Sequence, residues 1–351
     1  MYSLKDLGWC DFFELQWKEW QATGLFPARV AEENRGFYLL YSESGDFWAE
    51  LRGKLRHDAA SSTALPAVGD WILAQQHGSR ATIHRVFNRR SKFSRKIAGR
   101  KTEEQIVAAN VDTILLVSSL NREFNPRRIE RYLTLIWESG ARPVIVLNKS
   151  DLCENTAALT ADAESAAMGV PVVITSALRG DGLAELREIV SKGGTSALLG
   201  SSGVGKSSLV NALVGRELQP TREVRESDDR GRHATTSRQL IILEGAGLLI
   251  DTPGMRELQL WDSAEGLEHA FADIQELAQH CKFRDCSHTT EPGCAVTASL
   301  DEARLASCQK LTREQQFLAS KQDVALRSQR TKAIKRLMKE QKRFYSQLYR
   351  P

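Results

Sequence analysis

The 351-residue chain is 42% hydrophobic and 26% charged, the balance of a globular protein long enough for two or three domains. Its start, MYSLKDLGWC, has no cationic segment leading into an apolar one, and no apolar run approaches the roughly 18 residues needed to span a bilayer. Export and membrane insertion are therefore not expected; a cytoplasmic location is. Net charge is only +4, yet residues 85–101 carry eight Lys/Arg and no acid, and residues 327–351 carry nine against the single Glu340, so the remainder is acidic. Two such basic tracts suggest a polyanionic partner.

Residues 3–23 place Trp9, Phe12, Phe13, Trp17 and Trp20 at near-helical spacing, which predicts a helix packed on a neighbour. Short strands follow at 36–41, 47–53, 70–75 and 81–87, separated by Gly, Ser, Asp and Pro turns, the pattern of a small OB-like β-barrel. From residue 106 strand and helix alternate. VDTILLVSS precedes a helix capped by Asn125 and started by Pro126, with Ile129, Tyr132, Leu133 and Ile136 on one face. PVIVL, VPVVITS and TSALLG are further buried strands, with helices near 154–168 and 182–191, giving an α/β parallel-sheet domain.

PVIVL runs into Asn148-Lys149-Ser150-Asp151, the side chains with which GTP-binding proteins hold guanine. Asp151 suits the guanine N1 and N2 hydrogens, Asn148 the opposite edge, and Lys149 the ring face. Ser176-Ala177-Leu178 suits a backbone contact to O6. No phosphate cradle precedes these residues. It comes later, as Gly200-Ser201-Ser202-Gly203-Val204-Gly205-Lys206-Ser207-Ser208, a GxxxxGK[ST] loop between a strand and a helix. Its backbone N–H groups and helix N-terminus attract phosphate, Lys206 would reach the β- and γ-phosphates, and Ser207 would ligate Mg²⁺. A hairpin then ends in Asp251-Thr-Pro-Gly254, where Asp251 would hold a Mg²⁺ water and the Gly254 N–H would meet the γ-phosphate. Between loop and hairpin, Thr235 and Thr236 are available as the switch hydroxyl that senses Mg²⁺. The order of these pieces is rotated relative to an ordinary GTPase, which predicts a circular permutation.

Six cysteines without a secretory signal favour metal over disulfides. Cys281, Cys286, His288 and Cys294 lie within 14 residues and can supply four tetrahedral ligands to one structural Zn²⁺.

Through NKSD, SAL, GSSGVGKSS, GRHATT, DTPG and the Cys-x4-Cys-x-His-x5-Cys set, in that order, the sequence resembles the ribosome small-subunit-dependent GTPase A (RsgA-like) family over essentially its whole length. The resemblance implies an N-terminal OB-fold, a permuted GTPase and a zinc domain. It also implies GTP hydrolysis stimulated by the small (30S) ribosomal subunit, late in that subunit's maturation. The expected layout is a helical segment (1–33), an RNA-binding barrel (34–101), the GTPase (102–270) and a zinc domain with a basic C-terminal helix (271–351). Arg89, Arg90, Lys92, Arg95 and Lys96 of the first tract, and Lys335, Arg336 and Lys339 of the second, are the expected RNA contacts of a monomer binding GTP and GDP. The family usually has His-Thr-Thr where this chain has His233-Ala234-Thr235, which places the switch threonine at Thr235. Met255 stands where many GTPases use Gln to orient water, so His233 is the candidate catalytic group. Gly203 occupies the position where potassium-activated GTPases carry Asn, so K⁺ dependence is not expected. Two rival readings stay open: a nucleotide-gated RNA-binding scaffold, and a permuted GTPase acting on the large subunit.

Overall fold

The computed structural model describes residues 2–58, 62–96, 104–121, 124–192, 194–218, 238–251 and 264–320. The chain divides into two compact units, Met1–Gln259 and Leu260–Pro351.

In the first unit α1 (Asp11–Trp17) leads to β1 (Phe26–Asn34), β2 (Phe37–Ser42), β3 (Gly45–Leu51), α2 (Gly53–Asp58), β4 (Trp71–His77) and β5 (Arg80–Val86). The pairings β1–β2, β2–β3, β3–β5, β5–β4 and β4–β1 close these five strands into a barrel. Period-two alternation fills it: Tyr38, Leu40, Phe47, Ala49, Ile72, Ala74, Ala81 and Ile83 point inward, leaving Phe37 and Trp48 outside. β1 starts at Phe26, inside the segment expected to be helical up to residue 33. Its apolar pattern is broken by Arg29, Glu32 and Glu33, which hides the strand from a hydrophobicity reading.

Trp9, Phe13, Trp17 and Trp20 do pack together, with Trp71, Leu73 and Phe87 as their floor, and Trp9 meets Trp71 edge-on at 4.6 Å between centroids. Phe12 instead points outward. The tract after β5 is not a simple extension. It turns into β6 (Lys92–Lys96), which pairs antiparallel with β7 (Glu104–Ala109) across the expected 101/102 boundary.

The α/β part follows as β8 (Thr113–Ser119), α3 (Pro126–Glu138), β9 (Arg142–Asn148), α4 (Thr156–Ala167), β10 (Val172–Ile174), α5 (Leu183–Lys192), β11 (Thr195–Leu199), α6 (Lys206–Val214), β12 (Gln239–Leu243) and β13 (Gly247–Asp251). Asn125 caps α3 by accepting from the Arg127 and Arg128 N–H groups, as its position before Pro126 predicts. β10, β9, β8, β11 and β13 run parallel in that order, and β12 closes the hairpin antiparallel to β13. Leu115, Val117, Val146, Leu186, Leu198, Leu209, Leu213 and Leu249 form the core between sheet and helices.

β12 also meets β1, Glu32 opposite Gln239, so the barrel and the α/β part share one eleven-stranded sheet. The junction is held by Arg29, whose guanidinium is almost fully buried and donates to the carbonyls of Leu7, Gly69 (3.2 Å) and Asn110 (3.2 Å). Burial holds its pKa down to about 10, and the group remains a cation at neutral pH.

The second unit contains α7 (Ala264–Ala270), α8 (Ala272–Ala278), α9 (Ala295–Ser299) and helical residues 302–320. Phe271, Ile274, Val296 and Leu311 are among its buried residues, and Arg304 pairs with both Asp273 oxygens at 2.6 and 2.7 Å while lying over the Phe271 ring. Among the described residues no helix is long and apolar enough to cross a membrane.

Candidate functional site

The parallel strands deliver their motifs to one edge of the sheet, where β9, β10 and β11 end. Asn148 closes β9 and is buried. Its Nδ2 donates to the Val204 carbonyl in the phosphate loop at 2.9 Å, and its Oδ1 accepts from the Thr175 hydroxyl and the Ala177 N–H, each at 3.2 Å. One side chain thus ties three loops that are far apart in sequence. This differs in emphasis from the contact to the guanine edge expected for Asn148, because one of its two amide hydrogens is committed to the protein. Lys149 follows at φ 65°, a left-handed turn that lets Ser150-Asp151-Leu152 form a single 3₁₀ turn over the strand ends.

Asp151 Oδ1 accepts from the Ser176 hydroxyl at 2.5 Å, which fixes the carboxylate beside the Ser176-Ala177-Leu178 loop. Ser176 is itself locked: its Oγ accepts from the Arg179 N–H, and its backbone pairs with Asp181 and Gly180. The Ala177 N–H beside this carboxylate is given to Asn148 Oδ1, so the Asp151 and Asn148 side chains are fixed against the same loop.

β11 turns at Gly200 into the phosphate loop, and α6 begins at Lys206. Two glycines are sterically required there. A Cβ on Gly200 would stand 2.2 Å from the Val117 carbonyl, and one on Gly205 would stand 2.3 Å from Asn148 Nδ2; both residues have positive φ. Lys206 Nζ donates to the Gly200 and Ser201 carbonyls at 2.8 and 2.7 Å, folding back onto the start of the loop. Arg128 on α3 donates to Ser201 Oγ at 3.2 Å, a contact that no spacing in the sequence announces. Asp251 ends β13, directly beside β11, and is buried. His233, Thr235, Thr236, Gly254 and Met255 lie outside the described residues, as do Lys335, Arg336 and Lys339.

The first basic tract is less uniform than its sequence suggests. Arg89 pairs with the fully buried Asp70 at 2.6 and 2.7 Å and donates to the Thr63 and Leu65 carbonyls, so it belongs to the barrel and is withdrawn from the expected RNA contacts. Arg90 pairs with Asp112, and Lys92 with Glu104 at 3.0 Å, both partly exposed. Arg95 and Lys96 lie on β6, with their side chains outside the described set.

In the second unit the Cys281, Cys286 and Cys294 sulfurs and a His288 ring nitrogen all lie within 4.8 Å of one another. Tetrahedral zinc, at about 2.3 Å to sulfur and about 2.0 Å to nitrogen, requires S···S near ~3.8 Å and S···N near ~3.5 Å. The observed Cys281–Cys294 separation is 3.9 Å, and His288 Nδ1 stands 3.6 and 3.5 Å from Cys281 and Cys294. The donor set fits the ion. Hydrogen bonds from Thr297 hold the Cys294 thiol down to about 6, whereas Cys286, despite a hydrogen bond from the His288 backbone, is pushed up to about 11 by burial and by the crowding Cys294 and Cys281 thiols. Glu291, unremarked in the sequence, accepts from the backbone of Ser287, Thr289 and Thr290 and so shapes the turn that carries His288 at φ 55°. Its hydrogen bonds, Ser287 foremost, hold its carboxyl well below the usual carboxylate range.

The family described as RsgA GTPase matches residues 86–261. The small ribosomal subunit biogenesis GTPase RsgA of Opitutus terrae is 44% identical over 340 residues, covering 92% of this chain and 93% of the relative. The protein of the same name from Syntrophotalea carbinolica is 46% identical over 321 residues, covering 87% of each. Among solved structures, YjeQ from Thermotoga maritima superposes with a TM-score of 0.62 at 27% identity, covering 83% of this chain and 98% of that one. YloQ, described as a circularly permuted GTPase, gives 0.60 at 25% identity, covering 85% and 97%. The permuted GTPase core, the closed barrel and the Cys/His cluster agree with the expected architecture.

Proposed function

The chain belongs to the RsgA GTPase family and is a GTP hydrolase, and from that premise we propose that it binds the small (30S) ribosomal subunit and hydrolyses GTP when stimulated by it, late in that subunit's maturation. The relatives' names support a ribosome-biogenesis GTPase. The observation that carries the nucleotide reading is the Asn148 bridge, which joins base-reading and phosphate-holding loops into one site although the chain makes them in reversed order.

In this reading Asp151 accepts from guanine N1–H and N2–H₂, held in place by Ser176, and Lys149 covers the ring. The loop from Gly200 to Ser207 surrounds the phosphates with N–H groups, and Lys206 moves from its two loop carbonyls to the β- and γ-phosphates. Ser207 and Thr235 would hold Mg²⁺, with the buried Asp251 holding it through a water; the ion would supply charge neutralisation at the phosphates. His233 orients water in place of the usual Gln, and with Met255 beside DTPG, turnover is slow until the subunit orders the switch. Cys281, Cys286, His288 and Cys294 would hold one Zn²⁺, which folds the C-terminal unit and leaves no position for substrate. Arg90, Lys92, Arg95, Lys96 and the basic residues 327–351 contact ribosomal RNA, and the protein works as a cytoplasmic monomer.

The test is GTP hydrolysis with and without purified small subunits. Stimulation is expected with the small subunit and not the large one. An equal rate in all three conditions would leave a nucleotide-gated scaffold as the better account. His233→Ala should lower stimulated turnover with GTP affinity nearly unchanged.

A further inference from the structure

Four residues separate the first two zinc-site cysteines: Lys282, Phe283, Arg284 and Asp285. All four are exposed, and Phe283 keeps 41% of its surface open to solvent. An aromatic ring left exposed on a loop costs free energy unless something covers it, and here the loop is not loose. Cys281 and Cys286 pin its two ends at the metal cluster, and the Lys282 N–H donates to the Gly293 carbonyl at 3.2 Å. The Lys282 stem lies against Gly293, where an added Cβ would meet it at 3.3 Å, and its ammonium sits 5.5 Å from the Phe283 ring centroid. The result is a tip held at both ends that presents one ring with the Lys282 ammonium over it and Arg284 next in sequence, and Asp285 is the only acid between the cysteines. The next acids in sequence are Glu276 and Glu291, each five residues beyond a cysteine, and Glu291 is taken up by the backbone N–H groups of Ser287, Thr289 and Thr290.

We propose that this tip is a base-stacking contact for single-stranded RNA: an unpaired base lies on Phe283, and the phosphates on either side meet Lys282 and Arg284. Stacking on an aromatic ring is independent of sequence, because every base has a π face, and the flanking cations match a backbone with one negative charge per nucleotide. Stiffness matters as much as charge, since a loop already held at both ends loses little freedom on binding. The proposal rests on the ribosomal-RNA reading above and names a contact outside both basic tracts.

The test uses the full-length, zinc-loaded protein with a short labelled single-stranded RNA and the same sequence as a duplex. Phe283→Ala should weaken single-strand binding roughly fivefold to a hundredfold and leave duplex binding, zinc content and GTP affinity unchanged. Phe283→Trp should restore it. Lys282→Gln with Arg284→Gln should instead flatten the slope of log affinity against log salt by about 1.4, two phosphates at about 0.7 each, while Phe283→Ala shifts the line without changing its slope. Wild-type protein that binds RNA normally alongside an unaffected Phe283→Ala variant overturns the stacking contact and leaves the ribosomal reading standing. Wild-type protein that binds neither RNA nor small subunits overturns both. Loss of subunit binding in Phe283→Ala with RNA binding intact would show that the ring docks on protein, which also overturns the proposal.

Discussion

Asn148→Ala isolates the bridge on which the nucleotide site depends. The substitution removes three hydrogen bonds, to Val204 O at 2.9 Å and from Thr175 Oγ1 and Ala177 N at 3.2 Å each. At about 0.5–1.5 kcal/mol net apiece, with the Val204 carbonyl and Ala177 N–H left inside a buried corner, the loss is about 2–4 kcal/mol. That free energy does not depend on the γ-phosphate, so GTP and GDP affinities should fall together, by roughly thirtyfold to a thousandfold. Displacement of a fluorescent guanine nucleotide by each measures this directly. Asn148→Asp should do no better than Ala: it keeps the acceptor for Ala177 but points an anion at the Val204 carbonyl. A thermal melt run alongside separates loss of the site from loss of the fold. Affinities within twofold of wild type for both nucleotides would refute the bridge as the organiser of the site, as would a selective loss of GTP binding.

Asp151→Asn should shift preference from guanine towards xanthine nucleotides, read by competition between GTP, XTP and ATP, because an amide can no longer accept from both N1–H and N2–H₂. Metal analysis should find one Zn²⁺ per chain in the wild-type protein and none in Cys281→Ser, whose C-terminal unit should melt with nucleotide affinity retained. Arg29→Met should lower stability by about 3–5 kcal/mol in denaturant unfolding, since three buried carbonyls lose their donor at once. Neutralising Arg90 and Lys92 should flatten the salt dependence of subunit binding without unfolding the barrel, whereas Arg89→Gln should destabilise the barrel, because it strands Asp70 in the interior.

The readable parts of this molecule were those where one physical signal dominates. Apolar runs such as VDTILLVSS and PVIVL can only be strands buried on both faces, and Asn125-Pro126 marks the start of α3 because cap and fixed φ act together. The cysteine cluster was legible because four ligands so close in sequence have little room to be apart in space. β1 was not legible, because Arg29 occupies a core position and looks like surface until its three carbonyl partners are known. β6 is masked in the same way: its cations point to a polyanionic partner and hide a strand, although Phe93 between them is buried. Arg89 shows the limit most plainly, since a cation's partner 19 residues back, Asp70, leaves no local pattern. Asp151 was identified from its motif, but its anchoring by Ser176 required the fold to bring β9 and β10 together.

Circular permutation leaves β12 as the outermost strand of the GTPase sheet, and QLIIL is a poor sequence to leave at an edge. Flat, apolar edge strands with open N–H and C=O groups recruit strands from other molecules. Here β1 occupies that side, and Ile242 packs into the aromatic cluster beneath the barrel. The barrel therefore serves the GTPase as a cover against self-association, independently of anything it binds. A fragment beginning after β5 would keep every nucleotide-binding residue described here and still be prone to aggregate, and charged substitutions on the outer face of β12 would be the natural way to recover it in soluble form.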